Sequence, residues 1–405
     1  MNILSFMERA FRYANHRYQN IKIGVLENLG YIRHKQIVPT GTNGRKIYVF
    51  KKESIEHVEI LPIYGFISSG SFDVEYPEIS LYCYKDAIVV GSADYVITGN
   101  GNVIWPKYYN YNYHHNIVRD ALFVNEDDGS FYYKKPKKVV ECEVVFSFLG
   151  VFAHIWAHSI VEFFPKFKAL EYLVQSNVEN ITVLIPPIKD LQLRQLFIER
   201  LAALNVTILE VEKNVAVHAK EVYYMERPTR FTDHEESIYI GDCVIPNVVA
   251  DYIKSEIVEK YNTEVISSEY KKIYITRRGG NGKNLEGAHE IEDFFVSHGF
   301  KVIEPNMTSL SDKIEMFQSA EVIVGLLGGA FTNMFMCRPG TKILMLTNHP
   351  RQFENYLSMV KSNFGVDILC VNGYDDNKKG NPTHCSYKIS LEKIKMACKA
   401  HGIIE

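Results

Sequence analysis

Residues 321–346 decide the fold, and they read Glu-Val-Ile-Val-Gly-Leu-Leu-Gly-Gly-Ala-Phe-Thr-Asn-Met-Phe-Met-Cys-Arg-Pro-Gly-Thr-Lys-Ile-Leu-Met-Leu. The β-branched apolar run at 322–324 predicts a short strand that is buried on both faces. Three glycines follow, Gly325, Gly328 and Gly329, and glycine lets the backbone turn tightly and approach a ligand closely. The segment therefore begins as a strand that leads into a glycine turn.

A helix is predicted to follow this turn. Thr332 or Asn333 is expected to cap it, Pro339-Gly340 is expected to end it, and residues 342–346 predict the next strand. A strand, a glycine turn and a helix N-terminus together form an anion site, because N–H groups and the helix dipole point at the ligand. A tight turn that binds nothing has the same pattern, so both interpretations stay open at this point.

The length and composition indicate a globular protein with more than one domain. At 405 residues the chain exceeds one ordinary core. Apolar residues make up 46% and charged residues 23%, as in globular proteins. The net charge of -3 argues against a dedicated nucleic-acid binder. Aromatic residues reach 13%, which is expected of a carbohydrate-handling protein but also of a large core.

The cysteines and the N-terminal residues bear on the compartment. The cysteines stand singly and form no CxxC pair, so neither a zinc site nor a disulfide framework is predicted. Glu8, Arg9 and Arg12 interrupt the apolar run that a secretory signal needs, and no apolar stretch approaches the ~20 residues of a membrane span. We therefore expect a cytoplasmic protein. The amphipathic residues 3–14 predict a helix that either packs on its own domain or lies peripherally at the inner face of the membrane.

The residue patterns divide the chain into four stretches. Residues 1–140 predict a helix and a β-rich extension, residues 141–245 a first Rossmann-like unit, and residues 246–370 a second one. Residues 371–405 predict a helix that folds back on the first unit. Two consecutive α/β units imply two doubly wound sheets that face a cleft, with ligands at the carboxyl ends of the strands.

Two local signals stand out in the β-rich extension. Asn100-Gly101 lies between two apolar runs and predicts a hairpin. The aromatic-rich residues 105–115 are expected to form either a surface on which sugars stack or an irregular edge packed on the core.

A first cluster suited to chemistry lies on a helix predicted over residues 154–173, with a kink or restart near Pro165. His158 and Glu162 are four residues apart, so they share one helical face with Cβ atoms ~6 Å apart. Apolar neighbours desolvate such a pair partly, which suits a general base. A buried His–carboxylate pair with a structural role gives the same pattern.

A second cluster, Arg277-Arg278, ends the strand predicted over residues 273–276. Arginine at a strand end can clamp a diphosphate with two parallel hydrogen bonds. A solvated surface pair is the alternative. Because this strand and residues 322–324 belong to one predicted unit, the arginines and the glycine turn are expected at the same sheet edge, which favours an anionic ligand.

In combination these clusters resemble glycosyltransferase family 61. The family pattern aromatic-x-His-x-x-x-Asp/Glu-x-x-Pro-Arg is similar to Trp156-Ala-His-Ser-Ile-Val-Glu-Phe-Phe-Pro-Lys166, with Lys in place of Arg. The family strand that ends in Arg resembles residues 273–278, and its Gly-Phe-x-Val-x-x-Pro element resembles residues 299–305. Its signature Gly-x-His-Gly-Ala-Gly-Leu-Thr-Asn resembles residues 325–333, where Leu327 replaces the His.

The resemblance implies an α/β protein of the GT-B type, with two Rossmann-like domains that face a cleft. It implies an inverting transfer from a nucleotide sugar, usually a UDP-sugar, to a glycan or lipid-linked glycan acceptor. Such enzymes generally need no bound metal or other cofactor, and the clefts of this chain lack Asp-x-Asp. A role in assembling a bacterial surface polysaccharide, a capsule or O-antigen, follows from the same resemblance.

The resemblance also assigns expected roles to residues. Glu162 is the expected base, with His158 as its partner or an acceptor contact, and His154 and Trp156 lie on the acceptor side. Arg277 and Arg278 are expected on the diphosphate. The donor phosphates or ribose are expected on the turn formed by Gly328, Gly329, Ala330, Phe331, Thr332 and Asn333.

Leu327 leaves other functions open. If the family His contacts the donor phosphates, this chain compensates for its loss, uses a different donor, or is a non-catalytic nucleotide- or glycan-binding relative. Hydrolysis of a nucleotide sugar without an acceptor is a further alternative. A dinucleotide oxidoreductase is not favoured, because no G-x-G-x-x-G opens either α/β unit.

Overall fold

The fold is known from a computed structural model. It describes residues 31–34, 36–65, 70–91, 93, 95–105, 122–124, 131–150, 152–229, 245–261, 266–276, 285–304, 309–348, 354–374 and 386–405. The helix predicted over residues 3–14 and nearly all of the aromatic run 105–115 lie outside the described residues.

The strands are, in chain order, β1 (Tyr31–His34), β2 (Gln36–Pro39), β3 (Arg45–Lys51), β4 (Ser54–Glu59), β5 (Ile63–Tyr64), β6 (Ser71–Tyr76), β7 (Ile79–Val90), β8 (Val96–Thr98), β9 (Asn102–Trp105), β10 (Leu122–Val124), β11 (Phe131–Lys134), β12 (Lys138–Ser147), β13 (Ile181–Ile185), β14 (Thr207–Glu210), β15 (Val215–Met225), β16 (Lys272–Ile275), β17 (Leu285–Glu286), β18 (Lys301–Ile303), β19 (Val322–Leu326), β20 (Lys342–Thr347), β21 (Asp367–Asn372) and β22 (Tyr387–Lys388).

The α-helices are α1 (Trp156–His158), α2 (Phe167–Gln175), α3 (Leu191–Ala203), α4 (Asn247–Ile253), α5 (Ala288–Ser297), α6 (Leu310–Ser319), α7 (Glu354–Phe364) and α8 (Leu391–Ala400). Among the described residues, Ser159–Phe163 and Lys254–Glu259 are π-helical, whereas Phe164–Lys166, Ser268–Tyr270 and Gly329–Met336 are 3₁₀-helical.

The first large sheet has a parallel part in the order β14-β13-β12-β15. The chain moves from β12 to β13 and β14 on one side, and β15 then lies on the other side of β12. The strand order therefore changes direction between β12 and β15, which is where open α/β sheets bind ligands. Strand β7 pairs antiparallel with β15, so the N-terminal extension continues this sheet. The hairpin predicted at Asn100-Gly101 joins β8 to β9 and is confirmed, with Gly101 at φ 83°.

The second large sheet is parallel throughout, in the order β18-β16-β19-β20-β21-β5. Its strand order changes direction between β16 and β19, so the expected ligand edge lies at the carboxyl ends of these two strands. The outer strand β5 comes from the N-terminal extension, which therefore contributes to both sheets.

Gly325 does not belong to the turn, as the sequence analysis expected, but to strand β19. A Cβ atom on Gly325 would lie 2.7 Å from the carbonyl oxygen of Ile275 in the adjacent strand β16. The glycine at this position therefore permits close approach of two strands, and the turn begins only at Gly328.

The two α/β units pack directly on each other. Phe146 of β12 and Ile323 of β19 belong to one continuous buried cluster. Helix α8 was expected to fold back on the first unit, and this is wrong. Its Ile394 and Ala397 pack with Leu344 of β20 in the core of the second sheet, because α8 follows β22 directly and presents its apolar face there.

Candidate active site

The helical segment that follows β12 is irregular at the site. It begins with the single turn α1, continues as the π-helical Ser159–Phe163 and the 3₁₀-helical Phe164–Lys166, and becomes regular only in α2. Pro165 has no N–H to donate, which accounts for the restart. The predicted kink near Pro165 is thereby confirmed, and π-turns of this kind are frequent at functional sites.

His158 and Glu162 form the pair predicted from their spacing. The Nδ1 atom of His158 lies 2.5 Å from Oε1 of Glu162. The Glu162 side chain is fully buried, whereas 28% of the His158 side chain is exposed. The ring of Phe152 stacks on the imidazole with centroids 4.6 Å apart. The exposed end of this pair is therefore the histidine.

Arg227 completes this pair and was not among the residues singled out from the sequence. Its Nη1 atom donates to Oε2 of Glu162 at 2.5 Å, and its side chain is buried. A buried carboxylate requires a compensating cation. Arg227 follows β15 by two residues, and this position at the ligand edge of the first sheet was the signal that could have identified it.

The glycine turn continues into the 3₁₀-helix Gly329–Met336, with Gly328 as its N-cap and no side-chain capping bond. The prediction that Thr332 or Asn333 caps this helix is wrong, because both residues lie inside it. The side chain of Asn333 instead accepts a 2.8 Å hydrogen bond from the indole Nε1 of Trp156.

A second close approach also joins the glycine turn to the His158 segment. A Cβ atom on the exposed Gly329 would lie 3.8 Å from Cβ of Ala157. Ala330 and Thr332 are half-buried beside it, whereas Phe331 is buried. The structure thus brings the turn of the second sheet against the first helical turn of the His158 segment.

Leu327, which replaces the histidine of the family signature, packs in the apolar core. Its side chain is buried and belongs to the core that both units share, and its N–H donates to the carbonyl oxygen of Leu346 in β20. The apolar residue is therefore used for packing.

Lys313 of α6 is a further buried cation at the contact between the units. Its Nζ atom lies 4.2 Å from the centre of the Trp156 ring and donates to Oε1 of Gln192 at 2.5 Å. Burial disfavours the charged ammonium and lowers the pKa of Lys313 to about 8, although the negative charge of Asp190 opposes this shift. Sequence patterning gave no sign of this residue, since a lysine on a helix is usually solvated.

The remaining predicted residues divide into two groups. Trp156 is almost fully buried and links the two units, while His154 is exposed at the start of the segment. Arg277 and Arg278 lie outside the described residues, immediately beyond Thr276, which follows β16.

Within the described ranges, His, Cys, Asp and Glu side chains do not gather in groups of three that could hold a metal ion. None of the helices in the same ranges is long and apolar enough to cross a membrane. Whether the reaction needs a metal is a separate matter, and metal independence stays a prediction.

A cavity of about 610 Å³ lies away from these residues, on the antiparallel part of the first sheet. Arg45, Lys85, Asp86 and Glu221 are among its lining residues. None of the candidate active-site residues lines it, whereas Asn100 of the predicted hairpin does.

Comparison with known families identifies the class of the protein. Residues 156–344, which contain both the His158 segment and the glycine turn, match the family model described as Glycosyltransferase 61. The protein is a glycosyltransferase. This match confirms the resemblance to glycosyltransferase family 61 that the sequence motifs indicated. Comparison with curated proteins gave no match.

Proposed function

We propose that the protein is an inverting glycosyltransferase of the GT-B type, which transfers a sugar from a nucleotide sugar to a hydroxyl group of a glycan. The observation that carries this proposal is the hydrogen bond between Trp156 and Asn333. It holds the segment with the candidate base against the turn that is suited to the donor phosphates.

The strand orders support substrate binding at the carboxyl ends of the strands, where the strand order of each sheet changes direction. In the first sheet, His158 and Glu162 follow β12 and Arg227 follows β15, and the order changes direction between these strands. In the second sheet, Arg277-Arg278 follow β16 and the glycine turn follows β19, on either side of the equivalent point. Each unit thus directs its candidate residues to the edge where such sheets bind ligands.

The donor is expected on the second unit as a UDP-sugar. The first N–H groups of the 3₁₀-helix and its dipole favour negative charge near Gly329. Arg277 and Arg278 would add positive charge at the neighbouring strand end. Together these groups would stabilise the diphosphate as it departs, which requires no metal.

The proposed transfer is a single displacement at the anomeric carbon of the donor sugar. A base of the His158–Glu162 pair takes the proton of the acceptor hydroxyl, and the oxygen attacks the anomeric carbon from the face opposite the diphosphate. The new glycosidic bond forms while the bond from the anomeric carbon to the phosphate oxygen breaks. The nucleoside diphosphate leaves, and the configuration at the anomeric carbon inverts.

We assign the acceptor to the side of the first unit, near the exposed His154. A glycan or a lipid-linked glycan of surface-polysaccharide assembly, in a capsule or O-antigen, suits a cytoplasmic enzyme that works at the inner face of the membrane. This biological setting rests on the family resemblance.

A donor screen tests the proposal. Release of nucleotide is measured for UDP-, GDP- and CMP-sugars, with and without a glycan acceptor. Acceptor-dependent release from a UDP-sugar, with inverted product configuration by NMR, is the expected result. Nucleotide release that does not depend on the acceptor would indicate a hydrolase. Retained configuration at the anomeric carbon would contradict the inverting mechanism.

A further inference from the structure

The geometry points to His158 as the group that takes the acceptor proton, with Glu162 and Arg227 as positioning residues that hold its imidazole. This inference rests on the proposed function, since it assigns roles within the pair that the transfer requires. It reverses the order expected from the sequence, in which Glu162 was the base and His158 its partner.

The Glu162 carboxylate is enclosed between His158 and Arg227. Its side chain is fully buried, and each of its oxygens already has a partner, Oε1 with His158 and Oε2 with Arg227. The guanidinium of Arg227 lies 2.5 Å from Oε2 and pairs this carboxylate with a buried cation. Because no part of this side chain is exposed, an acceptor hydroxyl could reach the carboxylate only if the surrounding side chains moved.

The contact with Glu162 determines the tautomer of His158. Because the carboxylate that pairs with Arg227 accepts hydrogen bonds and does not donate them, Nδ1 of His158 carries the proton that joins the two residues. The neutral imidazole then has its basic lone pair on Nε2, at the opposite end of the ring. The ring is 28% exposed, and stacking on Phe152 restricts its rotation.

Arg227 holds Glu162 in place from the end of a different strand. It approaches from the end of β15, whereas Glu162 and His158 lie on the segment after β12, so the bond ties two strand ends together. Its guanidinium also lies over the ring of Phe163, 5.9 Å from the centroid. With one oxygen held by Arg227, Glu162 cannot rotate away from His158. The carboxylate thus orients the imidazole and stabilises the imidazolium formed when Nε2 takes the acceptor proton, as in other His–carboxylate pairs.

Chemical rescue distinguishes the two assignments. His158→Ala is expected to lower transfer by about 10²–10⁴-fold, the usual contribution of a general base, and added imidazole is expected to restore part of the rate. Glu162→Ala is expected to lower the rate without rescue by formate. If formate rescues Glu162→Ala and imidazole does not rescue His158→Ala, Glu162 is the base and the assignment is overturned.

Arg227 has its own test with a matched control. Arg227→Gln is expected to lower kcat at least tenfold while KM for the donor changes little, because it acts on the base and not on the donor. Arg227→Lys, which keeps the charge, is expected to recover part of kcat. The control Arg194→Gln removes a half-exposed arginine paired with Glu210 on the same unit and is expected to leave kcat unchanged. An Arg227→Gln protein with normal kcat overturns the positioning role.

A spectroscopic test needs no donor, and its decisive reading comes from the wild-type protein. In protein labelled with ¹⁵N-histidine, the wild-type His158 ring is expected as the Nδ1–H tautomer near neutral pH, with its signal identified by its absence in His158→Gln. Glu162→Leu is expected to convert it to the Nε2–H form. A wild-type ring in the Nε2–H form overturns the assignment.

Failure of the wild type to transfer from any donor defeats the proposed function instead, whereas transfer with the opposite rescue pattern defeats this assignment alone.

Discussion

The indole Nε1 of Trp156 donates a 2.8 Å hydrogen bond to Oδ1 of Asn333, a residue 177 positions later in the chain. Both side chains are buried, and they belong to different α/β units. Because a buried polar group without a partner costs about 1–3 kcal/mol, this bond fixes the contact between the His158 segment and the glycine turn.

Breaking that bond should destabilise the protein measurably. Asn333→Ala leaves the buried indole N–H without its acceptor, so the free energy of unfolding is expected to fall by about 1–3 kcal/mol in urea titrations. In a Trp156→Phe background, which has no indole N–H, the same Asn333→Ala change should cost less. Equal costs in both backgrounds would show that the bond does not couple the two residues.

UDP should stabilise the protein through the second unit. Differential scanning fluorimetry is expected to show a melting temperature that rises with the logarithm of UDP concentration above its Kd. Replacing Arg277 and Arg278 together with Ala should remove this shift. The control Arg338→Ala changes an exposed arginine that precedes β20, at the opposite sheet edge, and should preserve it. A shift that survives the double replacement would locate the diphosphate elsewhere.

Transfer should persist in excess EDTA. The positive charge of the arginines and the helix N-terminus is expected to neutralise the leaving diphosphate. The assay compares initial rates with EDTA, with added Mg²⁺ and with added Mn²⁺, after dialysis against chelator. Complete loss of transfer in EDTA, reversed by either ion, would refute metal independence.

Lys313 should make the stability depend on pH in the alkaline range. Its pKa falls from 10.5 in the unfolded chain to about 8 in the folded protein. Between these values the unfolded chain binds more protons than the folded protein, so stability rises with pH. Below about pH 8 both states are protonated, and the buried charge carries its full cost, about 3 kcal/mol for this pKa difference.

Comparison with Lys313→Met isolates this effect. Relative to the variant, the wild type is expected to gain up to about 3 kcal/mol in free energy of unfolding between pH 7 and pH 10.5, measured by urea titration. Lys260→Met, which removes an exposed lysine, should show no such gain. If the difference in free energy of unfolding between the wild type and Lys313→Met stays constant across this range, the lowered pKa of Lys313 is contradicted.

The sequence predicted those features that depend on local periodicity and spacing. The strand at 322–324, the restart near Pro165 and the His158–Glu162 pair needed only residues close together in the chain, and the structure confirms them. The combination of motifs also identified the family correctly.

What escaped prediction depends on contacts between distant residues. Arg227 reaches Glu162 from another strand, and no local pattern separates it from a solvated arginine. Asn333 was expected at a helix cap, which its residue type suits, but tertiary packing against Trp156 decided its role. Gly325 was taken for a turn residue because the adjacent strand that requires it is remote in sequence.

The two-residue strand β5 has a consequence for any attempt to isolate the part of the chain that matches the family model. It covers the edge of β21, and β7 covers the edge of β15, although both come from residues before 91. A fragment that starts near β12 would expose the backbone N–H and C=O groups along both β15 and β21. Such open edges pair with other chains, so a fragment of this kind should aggregate where the full chain stays monodisperse. The residues before the matched segment thus act as built-in edge protection for the catalytic fold.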